Sequence, residues 1–281
     1  MTTVIFAAVL FAALCHATWN ALIKVALDPL STTTLILCGA TIFAIAAIPF
    51  VPLPASSSWP YLVASSVIHL LYFGSLAEAY RTGDLGQVYP IARGAAPLMT
   101  ATAGTLIVGE YLSVLAWGGI IALALGVLLL SLRGGRDLAK LDKRAVGFAL
   151  FTAVTICTYT IVDGVGARVS GHPVSYVLWG FVGICIFLVP YALYRNGRTL
   201  FTDAVQFWPR GLAGGALQVV SYSVALWAMT LVPIAIIASL RETSVLYAAL
   251  IAVFVLGEPF RAIRIVAAIL IVAGLIAIRL Q

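Results

Sequence analysis

Apolar residues fill the chain in ten long runs, each bounded by proline, glycine or charged residues. A helix needs roughly 20 apolar residues to cross a bilayer, and the runs are close to that length. Most connections between the runs are short, so neighbouring helices are expected to be antiparallel. The pattern predicts an all-α integral membrane protein with ten transmembrane helices at 4–27, 32–53, 59–82, 86–108, 112–132, 145–169, 174–194, 210–231, 234–256 and 262–280.

Composition supports a protein whose solvent is largely lipid. The chain is 63% hydrophobic and only 9% charged, whereas soluble domains carry about 25% charged residues. The net charge of +6 does not indicate nucleic acid, because no basic face with interleaved aromatic residues is present. The 4 cysteines fall in different apolar runs without metal-ligand spacing, so they are interpreted as small buried hydrophobic residues and no metal site is expected.

Basic residues are distributed very unevenly along the chain. Of the 16 lysines and arginines, 12 lie at the odd-numbered connections or the helix ends that face them. Arg168 and Arg279 lie on the other face, and Arg93 and Arg241 lie within spans. Since cytoplasmic loops carry the excess of basic residues, the odd-numbered connections are predicted to be cytoplasmic and both termini to be outside.

The chain also repeats itself. Three pairs of like residues recur at a separation of 148 positions, namely Arg93 and Arg241, Glu110 and Glu258, and Gly126 and Gly274. Each half holds five spans, and because five is odd the second copy must enter the membrane from the opposite side. The sequence therefore predicts two inverted five-helix repeats, 1–132 and 145–281, joined by a cytoplasmic linker at 133–144.

Several features together resemble the drug/metabolite transporter superfamily, and its EamA-type branch most closely. They are the two five-helix halves, the stretch ATWNALIK (17–24) in the first span, and the glycine–glutamate pairs in VGEYL (108–112) and LGEPF (256–260). The resemblance implies a multi-pass protein of a bacterial-type inner membrane, with helices arranged around a central cavity that carries small metabolites. Members include YddG-like amino acid exporters as well as carriers of sugar phosphates and nucleotide sugars.

Two arginines lie deep within spans, and each has two alternative explanations. A charge at such depth costs several kcal/mol, so it must face protein or water. It can hold a substrate carboxylate or phosphate through its planar fork, or it can form a salt bridge between helices. Arg93 is the better substrate ligand and Arg241, beside Glu242, the better structural bridge. Residues that loosen a helix surround Arg93, namely Pro90, Gly94 and Pro97.

Other polar and aromatic residues lie well inside the spans, where they are expected to line a cavity between the halves. With the arginines, the candidate substrate-binding residues are His16, Trp19, Asn20, His69, Tyr72, Glu78, Tyr89, Arg93, Tyr159, Gln218, Tyr222, Trp227 and Arg241. The histidines are either packing residues or carriers of a coupling proton. The fifth and tenth spans have almost no polar side chains and are expected to pack peripherally.

These observations predict a secondary transporter that exports small polar metabolites, amino acids or related compounds, by alternating access. A carrier of phosphorylated or nucleotide-sugar metabolites is the alternative, and an integral-membrane enzyme or a channel is less favoured. No phosphate-binding loop of the form G-x-x-x-x-G-K-[ST] occurs, so ATP hydrolysis is not expected. No enzymatic activity and no cofactor are predicted. The expected partners are a small-molecule substrate and the lipid bilayer, without nucleic acid, for a monomeric chain.

Overall fold

The computed structural model describes residues 1–23, 28–82, 85–131, 143–254 and 262–281. This described part is helical and contains no strand. Its helices are α1 (Thr3–Ile23), α2 (Pro29–Ala47), α3 (Trp59–Thr82), α4 (Leu85–Ala103), α5 (Val114–Ser131), α6 (Lys143–Val169), α7 (Pro173–Asn196), α8 (Thr199–Met229), α9 (Ile234–Arg241), α10 (Thr243–Phe254) and α11 (Ala262–Leu280). One turn of π-helix over Gly104–Val108 follows α4 directly.

Most of these helices have the length and composition of membrane spans. Among the described residues, 8 segments qualify, and a shorter apolar helix at Val114–Leu130 accompanies them. α3 is 24 residues long but is not one of these segments. The protein is thus an all-helical membrane protein, as expected. Large apolar side chains such as Ile107 and Val114 are exposed, where lipid would cover them.

The predicted ninth span is two helices, separated at Glu242. α9 ends at Arg241 and α10 begins at Thr243, and the Glu242 amide donates to the Ser239 carbonyl at 3.0 Å in a tighter turn. The Thr243 hydroxyl satisfies the Leu240 carbonyl at 2.7 Å. Short hydroxyl side chains compete for backbone partners in this way, so the chain can leave the α-helix here without orphaning polar groups.

α4, by contrast, runs without a break through Arg93 and its neighbouring prolines and glycine. The loosened helix expected around Arg93 from Pro90, Gly94 and Pro97 is therefore not observed, and the interruption lies beside Arg241 instead. A proline inside a helix removes one hydrogen bond, and membrane-spanning helices tolerate that loss when neighbouring groups compensate.

α5 and α11 pack along each other with their backbones nearly in contact. A β-carbon built on Gly274 would lie 2.6 Å from the Gly119 carbonyl oxygen, and one on Gly126 would lie 2.9 Å from the Ala267 carbonyl oxygen. Gly119 and Ala267 are separated by the same 148 positions as Gly126 and Gly274. If each of these residues is exchanged for its counterpart in the other half, one contact therefore becomes the other.

Other helix contacts show the same exchange. α1 packs on α8 as α6 packs on α3, and α2 packs on α8 as α7 packs on α3. Where α2 crosses α8, a β-carbon on Gly39 would lie 2.3 Å from the Gly211 carbonyl oxygen. Small residues allow such close approach between helices in lipid, and this packing brings the polar faces of the helices around one central space.

The halves differ where α10 meets α11. An apolar crevice of about 460 Å³ separates these two helices, and Val272 and Ile276 are among its lining residues. Their counterparts at a separation of 148, Ala124 and Leu128, pack against α4 instead. A β-carbon built on Gly94 of α4 would lie only 3.4 Å from Leu128 Cβ. The contact between α4 and α5 in the first half is therefore closed, whereas the equivalent contact between α10 and α11 in the second half is open.

Glu110 joins three elements at one end of the bundle. Gly109, in the left-handed conformation with φ of 77°, turns the chain after the π-helical segment. The Glu110 carboxylate then accepts from Arg168 Nη2 at 2.5 Å and from the Ile234 amide at 2.8 Å. A carboxylate at a helix N-terminus satisfies orphan amides and the helix dipole, so Glu110 caps α9. Its repeat counterpart Glu258 lies outside the described residues.

Candidate substrate cavity

A cavity of about 380 Å³ lies among the helices at mid-depth. Helices α1–α4 and α6–α9 line it, and within the described residues α5 and α11 contribute none. α5 and α11 correspond to the predicted fifth and tenth spans, so the expectation that these two spans pack peripherally is confirmed. Ten of the candidate residues named from the sequence lie around this cavity, namely His16, Trp19, Asn20, His69, Tyr72, Arg93, Tyr159, Gln218, Tyr222 and Arg241.

Three candidates are not among the lining residues. Trp227 packs against the apolar core, and the side chains of Glu78 and Tyr89 lie outside the described part of the chain. The structure adds α2 and α7 to the lining, through Thr32 and Thr33 and through Phe181 and Ile184. These threonines lie in the first turns of α2. A threonine near the start of a helix is commonly a capping residue, so the sequence did not identify these two as cavity residues.

Arg93 is tied to the break in the ninth span. Its Nε lies 3.0 Å from Glu242 Oε2, and its Nη2 donates to the Ser244 hydroxyl at 3.0 Å. The exposed fractions of the two charged side chains are 13% and 7%, so the pair is largely removed from solvent. Glu242 thus pairs with Arg93 on α4 and not with its chain neighbour Arg241, so Arg93 forms the salt bridge between helices that was expected of Arg241.

Arg241 has a different environment. Its Cζ lies 5.2 Å from the centroid of the Tyr222 ring, a cation–π distance. No carboxylate among the described residues lies within ion-pair distance of its guanidinium. The side chain is half-buried and lines the cavity. Arg241 therefore presents a positive charge to the cavity, contrary to the structural role expected from the sequence.

Tyr222 connects Arg241 to a carboxylate behind the cavity wall. Its hydroxyl donates to Asp163 Oδ2, while Tyr176 donates to Asp163 Oδ1 at 3.0 Å. Asp163 is only 2% exposed. A β-carbon on Gly166 would lie 2.4 Å from the Tyr176 hydroxyl, so the glycine in α6 leaves the space that Tyr176 needs.

An aromatic wall faces these charges. The His69 ring stacks on Tyr159 with centroids 4.3 Å apart, and Tyr72 meets Tyr159 edge-on at 5.7 Å. His69 Nδ1 lies 2.9 Å from the Ser65 carbonyl oxygen. Since a carbonyl oxygen only accepts, Nδ1 carries a hydrogen and the neutral ring keeps its lone pair on Nε2. The wall can cover a flat or apolar group of a ligand.

Apart from the atoms of the Arg93–Glu242 ion pair, two buried polar atoms of the lining have no hydrogen-bond partner within the described residues, namely Trp19 Nε1 and Gln218 Oε1. One is a donor and the other an acceptor, and unsatisfied buried groups of this kind are costly unless a ligand or water engages them. Asn20 differs, because its side-chain amide donates to the His16 carbonyl at 2.8 Å in its own helix. Trp19 packs edge-on against His16, with centroids 5.0 Å apart.

The cavity is not symmetric along the bundle. It reaches the last turn of α1 at Asn20 and the first turns of α2 at Thr32, which both adjoin the first connection. Toward the opposite end the lining stops at residues such as Thr160 and Tyr222, about two turns before α6 and α8 end. The space therefore extends from mid-depth toward the end of the bundle that carries the basic connections. In the described part of the chain, no cluster of side chains suits a metal ion.

The model of the EamA-like transporter family matches residues 2–132 and residues 143–280. The chain belongs to the EamA-like transporter family. This EamA protein is therefore a multi-pass membrane protein of a transporter family, as the sequence suggested. No curated protein matches its sequence.

The fold of this EamA protein also matches 27 chains of solved structures. One, described as "Crystal structure of protein", has a TM-score of 0.78 and 18% sequence identity. The match covers 100% of this chain and 99% of the other. At that identity the likeness shows the fold alone.

Proposed function

We propose that the protein is a secondary transporter that exports small zwitterionic metabolites, amino acids or close relatives, by alternating access. The family assignment supports transport of small substrates. The cavity volume of about 380 Å³ suits a small molecule, since ligand sites span roughly 300–1,000 Å³. The substrate would occupy this cavity between the two halves of the chain.

Arg241 is the proposed carboxylate ligand, and its environment is the observation that carries the proposal. Its guanidinium lines the cavity, contacts the face of Tyr222, and has no carboxylate at ion-pair distance among the described residues. A planar guanidinium binds a carboxylate through two parallel hydrogen bonds. In a site removed from water such a pair is stronger than at a surface.

Glu242 gives the proposed site its second charge. Its carboxylate lines the cavity beside Arg241 and already pairs with Arg93, so a substrate ammonium would share it with that arginine. The Arg93–Glu242 pair is neutral overall, which leaves Arg241 as the excess positive charge of the lining. A single excess charge favours a monocarboxylate over a dianionic phosphate, and for this reason we rank the phosphorylated and nucleotide-sugar substrates second.

The proposed topology is ten spans in two inverted five-helix repeats, 1–132 and 145–281, with both termini outside a bacterial-type inner membrane. The exchangeable glycine contacts of α5 and α11 support the repeat. The closed contact of α4 with α5 and the crevice between α10 and α11 support alternating access, since the two halves would exchange these arrangements. In this orientation the cavity extends toward the cytoplasm, where an exporter collects its substrate.

The test is binding and flux with purified protein. We expect amino acids in a metabolite panel to raise the melting temperature, because a ligand that binds the folded state stabilises it by mass action. The same compounds should show saturable counterflow in proteoliposomes. Stabilisation by sugar phosphates or nucleotide sugars alone would overturn the substrate class. Unsaturable flux would indicate a channel, and chemical conversion of the added compound would indicate an enzyme.

A further inference from the structure

Asp163 is a buried carboxylate that the proposed substrate site does not use. It lies on α6, is 2% exposed, and receives hydrogen bonds from Tyr176 on α7 and Tyr222 on α8. Within the described residues no basic side chain lies at ion-pair distance from it. A buried carboxylate at membrane depth is costly and is commonly found where a protein moves ions or protons.

Tyr222 places this carboxylate next to the proposed substrate ligand. The Arg241 guanidinium lies over one face of the Tyr222 ring, with Cζ 5.2 Å from the ring centroid, and the Tyr222 hydroxyl donates to Asp163. Arg241 and Asp163 are thus opposite charges bridged by one phenol. Among the described residues, other titratable groups close enough to Asp163 to interact with its charge are His69 on α3, Tyr159 on α6 and Tyr176 on α7.

We propose that Asp163 is a proton-binding site coupled to substrate binding through Tyr222 and Arg241, so that the substrate carboxylate and a proton bind together. Export then carries the proton outward with the substrate and is driven by the substrate gradient, because the proton gradient across such a membrane points inward. The proposal rests on the proposed function in one respect, that Arg241 holds the carboxylate. A bound carboxylate neutralises the guanidinium that balances Asp163. Asp163 is then a buried carboxylate without a counter-charge among the described residues. An uncompensated charge inside a protein is costly, and a bound proton removes that charge.

A route for this proton exists in the hydrogen-bond geometry. Tyr222 lines the cavity and donates its hydroxyl hydrogen to Asp163 Oδ2. Transfer of that hydrogen to Oδ2, while the phenol oxygen gains a hydrogen from cavity water, protonates Asp163 and leaves Tyr222 neutral. The water then recovers a proton from the bulk solution, so the net event is uptake of one proton.

The electrostatic link can be tested without any ligand, by melting the purified full-length protein from about pH 5 to about pH 8. In Arg241→Gln, Asp163 has lost its balancing charge, which stabilises the protonated form of the folded protein. The melting temperature of this variant should therefore be near the parental value at low pH and fall progressively below it as the pH rises. The double variant Asp163→Asn, Arg241→Gln should recover most of this loss at high pH.

Asp203→Asn is the matched control, because Asp203 is a half-buried aspartate of α8 outside the cavity lining. Combined with Arg241→Gln it should restore nothing. A deficit of Arg241→Gln that does not change with pH, or an Asp163→Asn substitution that adds to the deficit, would overturn the link between Asp163 and Arg241.

Proton uptake on ligand binding is measured with a pH-sensitive dye in weakly buffered solution, with a mixture of the twenty proteinogenic L-amino acids as the probe. The parental protein should take up about one proton per bound amino acid, because one carboxylate titrates. Asp163→Asn should still be stabilised by the mixture but take up none. Stabilisation of the parental protein without proton uptake, or equal uptake by Asp163→Asn, would overturn the coupling. Absence of any stabilisation would instead refute the proposed substrate class, while the melting series would still decide the link.

Discussion

Arg93 on α4 and Glu242 at the break between α9 and α10 form an ion pair, with 3.0 Å between Nε and Oε2. The repeat separation of 148 positions allows this pair to be compared with the equivalent positions of the other half. Arg241 is the counterpart of Arg93, but the counterpart of Glu242 is Gly94. The half that contributes Arg93 therefore has no carboxylate at the equivalent position to offer Arg241. Arg93 is neutralised by Glu242 of the other repeat, whereas its counterpart Arg241 faces the cavity.

We predict that Arg93→Gln destabilises the protein, because it leaves the Glu242 carboxylate buried without its counter-charge. Removal of one partner of a buried pair costs about 3–5 kcal/mol. Thermal unfolding of the purified variant measures this loss. Arg93→Gln combined with Glu242→Gln removes both charges and should recover most of it. If the double variant is as unstable as the sum of the single variants, the pair does not hold α4 to the ninth span.

We predict that Arg241→Lys reduces transport at least about tenfold with little change in melting temperature. Lysine keeps the charge and the contact with Tyr222 but loses the planar fork. The lost hydrogen bond to a carboxylate is worth about 1.5–3 kcal/mol, and each 1.4 kcal/mol is about tenfold in affinity. Uptake into proteoliposomes and thermal unfolding separate the two effects.

Arg210→Lys is the matched control for this prediction. Arg210 lies over the Phe207 ring with its Cζ 5.3 Å from the centroid, nearly the same cation–π geometry, but it is not a lining residue of the cavity. Its substitution should leave transport and stability unchanged. Parental transport by Arg241→Lys would contradict the assignment of Arg241 as the carboxylate ligand.

Glycine substitutions should distinguish close helix packing from open helix surface. Gly126→Ala and Gly274→Ala place a β-carbon against backbone oxygens of the facing helix, so each should lower stability by about 1–3 kcal/mol. Gly118→Ala in α5 meets no atom within 4 Å and should be neutral or slightly stabilising, because alanine favours a helix over glycine by about 1 kcal/mol. Thermal unfolding of the three variants decides whether α5 and α11 are packed this closely.

The orientation can be tested by cysteine labelling in intact cells. In a background without the 4 native cysteines, Tyr111→Cys introduces a thiol at a position that is 87% exposed, in a connection proposed to be outside. Thr199→Cys introduces one at the start of α8, proposed to be cytoplasmic. An impermeant maleimide should label the first and not the second. The reverse pattern would invert the topology and place the cavity extension outside.

The sequence alone predicted much of the frame of the protein. Apolar runs long enough to span a bilayer predict helices whatever their neighbours are, because lipid requires every backbone group to be satisfied within the span. The near absence of polar residues from the fifth and tenth spans likewise predicted their peripheral packing. The free-energy cost of placing charged and polar groups in lipid also identified the deep arginines and aromatic residues as candidates for the cavity, since such side chains must avoid lipid.

Only the tertiary structure decided which charges meet. Arg93 and Glu242 are 149 positions apart, and no local pattern shows that Glu242 turns away from Arg241 toward α4. Helix breaks could not be read from prolines either, since α4 continues through Pro90 and Pro97 while the ninth span breaks at Glu242 without one. Both outcomes depend on contacts between helices that are distant in sequence. The sequence determined which residues needed partners, and the packing of the helices determined the partners that they found.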